Sequence, residues 1–297
     1  MKDIEPLGIT FVSENFSNSI DSFWIIIRPE ILINPFDFIS VENVQNTKTI
    51  GIVKELKRIY LDLESIAKNQ YSSQLNLNMN TDEKLGYGLT VAKIEVVANR
   101  QFVSNKEDDF PSDSGLSKKT VNSKNFTINM PVQEGKLVTF ATVEEVISSL
   151  GIPEMENPIP VGIIKTTNGL KVPVSLDYSY IIGPDTAHVN ASGISGNKKT
   201  SYLLFLLFSA YQTIKKSEDI SLIIFNTKEE DLLHINELQE NIENITNKEY
   251  ELLDLKIEPF ENVTYFLPRG KDGKPNSIYI PKNYKTFSYE LKDIYNR

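Results

Sequence analysis

With 297 residues, 40% of them hydrophobic and 24% charged, the chain is long enough for about two domains and a sizeable core. It contains no cysteine and only two histidines, which excludes disulfides and His/Cys metal sites and fits a reducing, cytoplasmic setting. The formal charge of −9 speaks against a globally basic nucleic-acid binder; the start Met1-Lys2-Asp3-Ile4-Glu5 lacks a signal-peptide apolar core, and Tyr202–Ala210 falls short of the ~20 apolar residues of a membrane span, so no membrane partner is expected.

The first ~140 residues read as β-rich, with short runs of β-branched and aromatic residues punctuated by Asn, Asp, Gly and Pro. Strands are expected at Gly8–Val12, Ser22–Arg28, Asp37–Val44, Thr49–Leu56, Leu89–Ala98 and Lys136–Ala141. Apolar and polar residues largely alternate from Leu89 to Val96, the mark of a half-buried strand. Strands of this length and spacing build either a small barrel or a sandwich, and Tyr60–Gln70 adds either a helix or a long connection. Ser104–Asn125 is polar and mixed in charge, so a mobile surface loop is expected there.

A capped helix follows. Thr142-Val143-Glu144-Glu145 has the spacing of a capping box, Gly151 supplies a stop and Pro153 prevents continuation. The Pro-rich stretch Ile152–Pro160 reads as a linker, giving three parts: a barrel at 1–141, the capped helix and linker at 142–160, and an α/β domain at 161–297. That domain opens with a hairpin, Gly162–Lys165 and Val172–Leu176, turning at Asn168-Gly169.

The segment Gly193-Ile194-Ser195-Gly196-Asn197-Lys198-Lys199-Thr200 comes close to the phosphate-cradling pattern G-x-x-x-x-G-K-[ST]. In such a loop the backbone amides curl round phosphates, the helix N-terminus adds partial positive charge, the lysine neutralises the β- and γ-phosphates, and the hydroxyl ligates Mg²⁺. This register makes Lys199 the lysine, Thr200 the Mg²⁺ ligand and Gly193 the first glycine; Ser201 continues into the helix. The register with Lys198 as the lysine fails, because Lys199 would then stand at the hydroxyl position. Lys198 occupies the place of the second glycine, where a side chain reshapes the cradle, and Gly196 restores some of the freedom.

Around the loop the expected order is a strand at His188–Ala191, a buried helix at Ser201–Lys216 and a buried strand at Ser221–Phe225, which together form a parallel βαβ unit. Helices at Glu229–Leu238 and Asn247–Leu255 and strands at Asn262–Phe266 and Ser277–Ile280 complete the expectation. His188 and His234 read as packed structural residues, and Tyr87, between two glycines, as hairpin packing.

In this order the features resemble the HerA family of ring-forming ATPases, relatives of FtsK-like translocases. The resemblance rests on Met130–Gly135 with Ala141–Val146, on Val172–Asp177, on His188–Gly196 with Lys199–Tyr202, and on Phe225–Leu233. It implies an α/β-with-β fold, a small N-terminal β-barrel followed by a partial RecA-like P-loop domain. It also implies ATP and Mg²⁺ as cofactors and a homo-oligomer, a hexamer in the family, that passes DNA through the assembled ring and works with a nuclease or another effector, some in anti-phage systems. The site residues it implies are Gly193, Ile194, Ser195, Gly196, Asn197, Lys198, Lys199, Thr200 and Ser201, with Lys199 catalytic and Thr200 on the metal.

Hydrolysis in this class also needs an acidic residue closing an aliphatic strand, and an arginine finger. No such strand follows Thr200; Asp254 and Glu258 lack the aliphatic run before them, and Arg269, after Phe266-Leu267-Pro268, reads as a solvated loop arginine, with a finger as the alternative. The chain is therefore expected to be the N-terminal part of a longer ATPase, or a shortened form, that binds nucleotide and turns over little. The alternative is a non-catalytic barrel module whose degenerate loop is structural. Neither histidine has a nucleophile elbow for a partner, which argues against triad hydrolysis.

Overall fold

The structure, a computed structural model, describes residues 6–60, 88–101, 130–183, 187–194, 199–214, 221–226, 232–238 and 244–287. Tyr87 and the stretches at 61–70 and 104–125 lie outside the described residues. The chain divides into two compact units, one of residues 1–156 with 163–174, the other of 157–162 with 175–297.

The first unit is built on a closed barrel of six strands: β1 (Gly8–Phe11), β2 (Ser22–Ile27), β3 (Phe38–Glu42), β4 (Thr47–Tyr60), β5 (Gly88–Gln101) and β6 (Leu137–Phe140). Their order is β1-β2-β5-β4-β3-β6, every pairing is antiparallel, and β6 closes the ring by pairing with both β1 and β3. The barrel, rather than the sandwich, is what these strands form. All six expected strands are present, with β4 and β5 longer than their apolar patterns suggested.

The pleat explains why these sequences close a barrel. Along β2, Phe23, Ile25 and Ile27 point into one cluster with Ile39, Val41, Val53, Ala92, Ile94 and Val138. Their neighbours Trp24 and Ile26 join Ile9, Phe11, Leu89 and Val91 in a second cluster on the other face. Both faces of β2 are therefore buried, which accounts for a continuous Phe-Trp-Ile-Ile-Ile run instead of alternation. Two glycines permit close strand approach. A Cβ on Gly8 would stand 2.0 Å from the Ile26 carbonyl oxygen, and one on Gly51, beside a register shift, 2.4 Å from Ile94 Cγ2.

Helix α1 (Val143–Ser149) follows the barrel with the capping box in place: Thr142 Oγ1 accepts from Glu145 N at 3.2 Å, and Glu145 Oε2 accepts from Thr142 N at 3.0 Å. The other oxygen of the buried Glu145 carboxylate takes Lys48 Nζ of β4 at 2.6 Å. Gly151 ends the helix region in the left-handed conformation, φ 69°.

Strands β7 (Pro158–Lys165) and β8 (Lys171–Asp177) form the expected hairpin, with Gly169 at φ 82° in its turn. The tip is fastened to the barrel unit through Asp37, a carboxylate only 3% exposed, which accepts Asn34 N at 2.9 Å and Thr167 N at 2.8 Å.

In the second unit lie helices α2 (Lys199–Ile214) and α3 (Asn244–Leu252) and a two-stranded parallel sheet, β9 (Tyr265–Pro268) with β10 (Tyr284–Phe287). Four expectations are corrected here. His188–Ala191 and Ser221–Phe225 are not strands, Leu232–Asn236 is a series of turns rather than helix, and the fourth strand lies at Tyr284–Phe287 instead of Ser277–Ile280. The barrel with α/β elements is thus the observed class. Among the described residues no helix is long and apolar enough to cross a membrane.

Candidate functional site

Helix α2 is held mainly through its C-terminal half, with one contact from its first turn. Ala210 and Ile214 pack on Ile159 of β7, Ser209 Oγ donates to the Pro160 carbonyl at 2.6 Å, and Tyr202 Oη donates to the Val161 carbonyl at 3.3 Å. Leu206 and Phe208 are buried, whereas Leu203, Leu204, Phe205 and Leu207 are only half-buried, so the helix is less enclosed than its nearly all-round apolar surface suggested. The anchoring fixes the axis of α2 and hence where its first turn points.

That first turn begins at Lys199, with Thr200 and Ser201 following. Lys199 folds its side chain back over the preceding segment: Nζ donates to the carbonyls of Gly193, at 2.5 Å, and Ile194, at 2.8 Å. Gly193 allows this approach, because a Cβ there would stand 3.3 Å from Lys199 Cδ and 3.6 Å from Cγ. An ammonium is thereby held at a helix N-terminus, where free backbone N–H groups and the macrodipole already favour an anion. A full charge and a helix end thus lie close together, with Thr200 next in sequence, a combination whose chemistry can serve a phosphate.

Of the expected site residues, Gly193, Ile194, Lys199, Thr200 and Ser201 are described, and the first three are brought together by the Lys199 bonds. Ser195, Gly196, Asn197 and Lys198 lie outside the described residues. Arg269 is exposed. The expected packing of the histidines is corrected: His188 is exposed, and His234, half-exposed, bonds through Nδ1 to Glu237 Oε2 at 2.8 Å. Among the described residues no group of three or more His, Asp or Glu side chains is placed to hold a metal.

Two features escaped the sequence reading. Glu237 also accepts from Tyr279 Oη, whose ring lies 4.2 Å from that of His234. The bond from Tyr279, then that from His234, holds the Glu237 carboxyl below its ordinary range and, from the other side, pushes the Tyr279 hydroxyl up. Second, a cavity of about 580 Å³ opens beside the C-terminal half of α2, lined by Phe208, Tyr211 and several carboxylates including Glu251 and Asp254. Its acidic rim is a poor match for a phosphate, so this hollow and the first turn of α2 are different places. No periodic signal links residues so far apart in sequence, and only the folded chain could reveal either feature.

No protein-family model matches the chain, and no curated protein matches it.

Proposed function

We propose that the chain binds Mg-ATP through the segment Gly193–Thr200 and serves in a HerA-like ring ATPase acting on DNA, with its barrel used for assembly or partner docking. The observation that carries this reading is the Lys199 ammonium, held by the Gly193 and Ile194 carbonyls at the first turn of α2. A lysine so placed exchanges two carbonyl partners for phosphate oxygens, and the loop amides and helix end supply the remaining donors. Thr200 is the residue that would hold a Mg²⁺ ion through its hydroxyl. The bound metal and nucleotide supply the reactive phosphoanhydride; this chain orients and neutralises it. Nucleotide binding is the activity proposed for these residues.

Isothermal titration of the protein with Mg-ATP tests the reading. Binding is expected in the parent and a loss of about tenfold or more in Lys199→Ala, with unchanged circular dichroism. Equal affinity in both proteins, or no binding in the folded parent, would refute it.

A second reading, a non-catalytic barrel module with a structural loop, is favoured by one observation. The segments on either side of the loop and its helix, His188–Ala191 and Ser221–Phe225, lie outside any strand, whereas phosphate loops are normally set between a strand and a helix.

A further inference from the structure

One flank of the barrel stops early. Strands β4 and β5 pair from Thr47↔Gln101 to Tyr60↔Gly88, yet β3 accompanies β4 only between Lys48 and Ile52. The last bonds on that flank run from Val53 N to Asp37 O, 2.9 Å, and from Phe36 N to Val53 O, 2.8 Å. From Lys54 onward no described strand lies beside β4, although β5 at the same level is paired with β2 through Thr90, Val91 and Ala92. A strand edge of this kind presents a row of backbone donors and acceptors ready for another strand.

The turn that ends this flank is unusual in its chemistry. In Asn34-Pro35-Phe36-Asp37 the Asp37 amide donates to the Asn34 carbonyl at 3.2 Å, and Phe36, the third residue, has φ 75°. That position of a turn calls for glycine or asparagine, and a bulky aromatic there is strained. Burial does not compensate, because Phe36 is 68% exposed. A strained and largely exposed residue, directly beside the first residue of β4 that has no described strand on this flank, points to a ligand that packs on it.

The charges along the edge select the occupant. Three cations of β4, Lys54, Lys57 and Arg58, stand against two carboxylates, Glu55 of the same strand and Glu95 of β5, in a chain whose net charge is −9. Lys54 is paired with Glu95 at 2.6 Å and Lys57 with Glu55 at 2.9 Å, and Arg58 has no ion pair among the described residues. In the register centred on Lys57, an antiparallel second copy would set that lysine opposite its own copy, which destabilises that pairing.

We propose that the edge Lys54–Ile59, with Phe36 as an apolar anchor, accepts an extended segment of a partner protein in which acidic and apolar residues alternate. Backbone bonds to β4 supply affinity, carboxylates meet the cations, and an apolar side chain covers Phe36. The site is separate from the nucleotide reading and stands without it.

The test uses the full chain and two short capped, fluorescein-labelled peptides, one alternating glutamate with valine and one alternating lysine with valine, followed by anisotropy. Trp24, the only tryptophan, has Lys57 Nζ 5.4 Å from its ring centroid, so its emission reports the same event from the protein side. The glutamate peptide is expected to bind and the lysine peptide to bind at least about tenfold more weakly. Phe36→Asn is expected to weaken the glutamate peptide by about tenfold while the melting temperature holds or rises, since asparagine suits the turn. Lys57→Glu with Arg58→Glu is expected to reverse the preference. Equal binding of the two peptides, undiminished binding by Phe36→Asn, or a lowered melting temperature in that variant would each overturn the proposal.

Discussion

Asp37 offers the sharpest test of how the barrel unit is held together. Its side chain is 3% exposed and receives two backbone amides, Asn34 N at 2.9 Å and Thr167 N at 2.8 Å, so one carboxylate closes the turn before β3 and pins the β7–β8 tip. Hydrogen bonds to a charged group contribute ~1.5–3 kcal/mol each. The low end applies here, because Asn34 is exposed and Thr167 only half-buried, so water replaces part of what Asp37→Ala removes. Removing a buried carboxylate also relieves its desolvation cost. The net expectation is about 2 kcal/mol, a fall in melting temperature of roughly 4–8 °C for a unit of this size. Asp37→Asn retains one acceptor oxygen and should lose about half as much. Thermal unfolding followed by Trp24 fluorescence reads the barrel directly. A shift below about 1 °C for Asp37→Ala, or equal losses for the alanine and asparagine variants, would show that the two amides are satisfied without the charge.

Gly8→Ala should abolish folding of the barrel, seen as loss of the near-ultraviolet dichroism, because the new Cβ would lie 2.0 Å from a backbone oxygen of β2 that cannot move alone. Glu145→Ala removes half of the α1 capping box and leaves Lys48 unpaired, so urea unfolding should register a loss of about 1–2 kcal/mol. Gly193→Ala should weaken Mg-ATP binding in calorimetry without changing the melting temperature, since its methyl would press on the Lys199 stem at 3.3 Å. The Glu237–Tyr279 bond acts at both ends of the pH range. With its carboxyl lowered, Glu237 contributes stability above the ordinary carboxylate pKa that is lost as pH falls through the lowered value; with its hydroxyl raised, Tyr279 contributes stability below the ordinary tyrosine pKa that is lost as pH rises through the raised value. Glu237→Gln should flatten both limbs of a urea-stability profile measured against pH.

The six strands of the barrel were legible because their information is local. Each strand carries its own β-branched run and its own turn residues, and antiparallel neighbours need only short connections to meet. The capping box was legible for the same reason, as Thr142 and Glu145 stand three residues apart. What the sequence could not reveal was closure, which depends on β6 reaching both β1 and β3. Nor could it reveal the open flank of β4, since an apolar pattern reports which face is buried and says nothing about which edge is paired. At the candidate site the glycine and lysine were legible from spacing, but the inward fold of Lys199 onto the Gly193 and Ile194 carbonyls is a tertiary fact.

The second unit shows where local pattern stops being sufficient. Ser221-Leu222-Ile223-Ile224-Phe225 has the composition of a buried strand, yet Ile223 is 80% and Phe225 88% exposed. An apolar run becomes a strand only when a neighbour accepts its backbone bonds and a second layer covers its side chains, and a short run alone cannot distinguish the strand from a segment still lacking both. Burying those two side chains would contribute ~1.5–3 kcal/mol each, so the described arrangement forgoes several kcal/mol that a completed sheet would gain. The β9–β10 pair points the same way: parallel strands ordinarily lie covered on both faces, and here every residue of β10 is exposed. A lysine at a helix end supplies charge wherever it stands, but holding a triphosphate in one pose requires the segments flanking the loop to be fixed as well. For the Mg-ATP binding proposed above, affinity would depend on what covers Ile223 and Phe225 as much as on Lys199, and a surface that buries them would strengthen it without touching the loop.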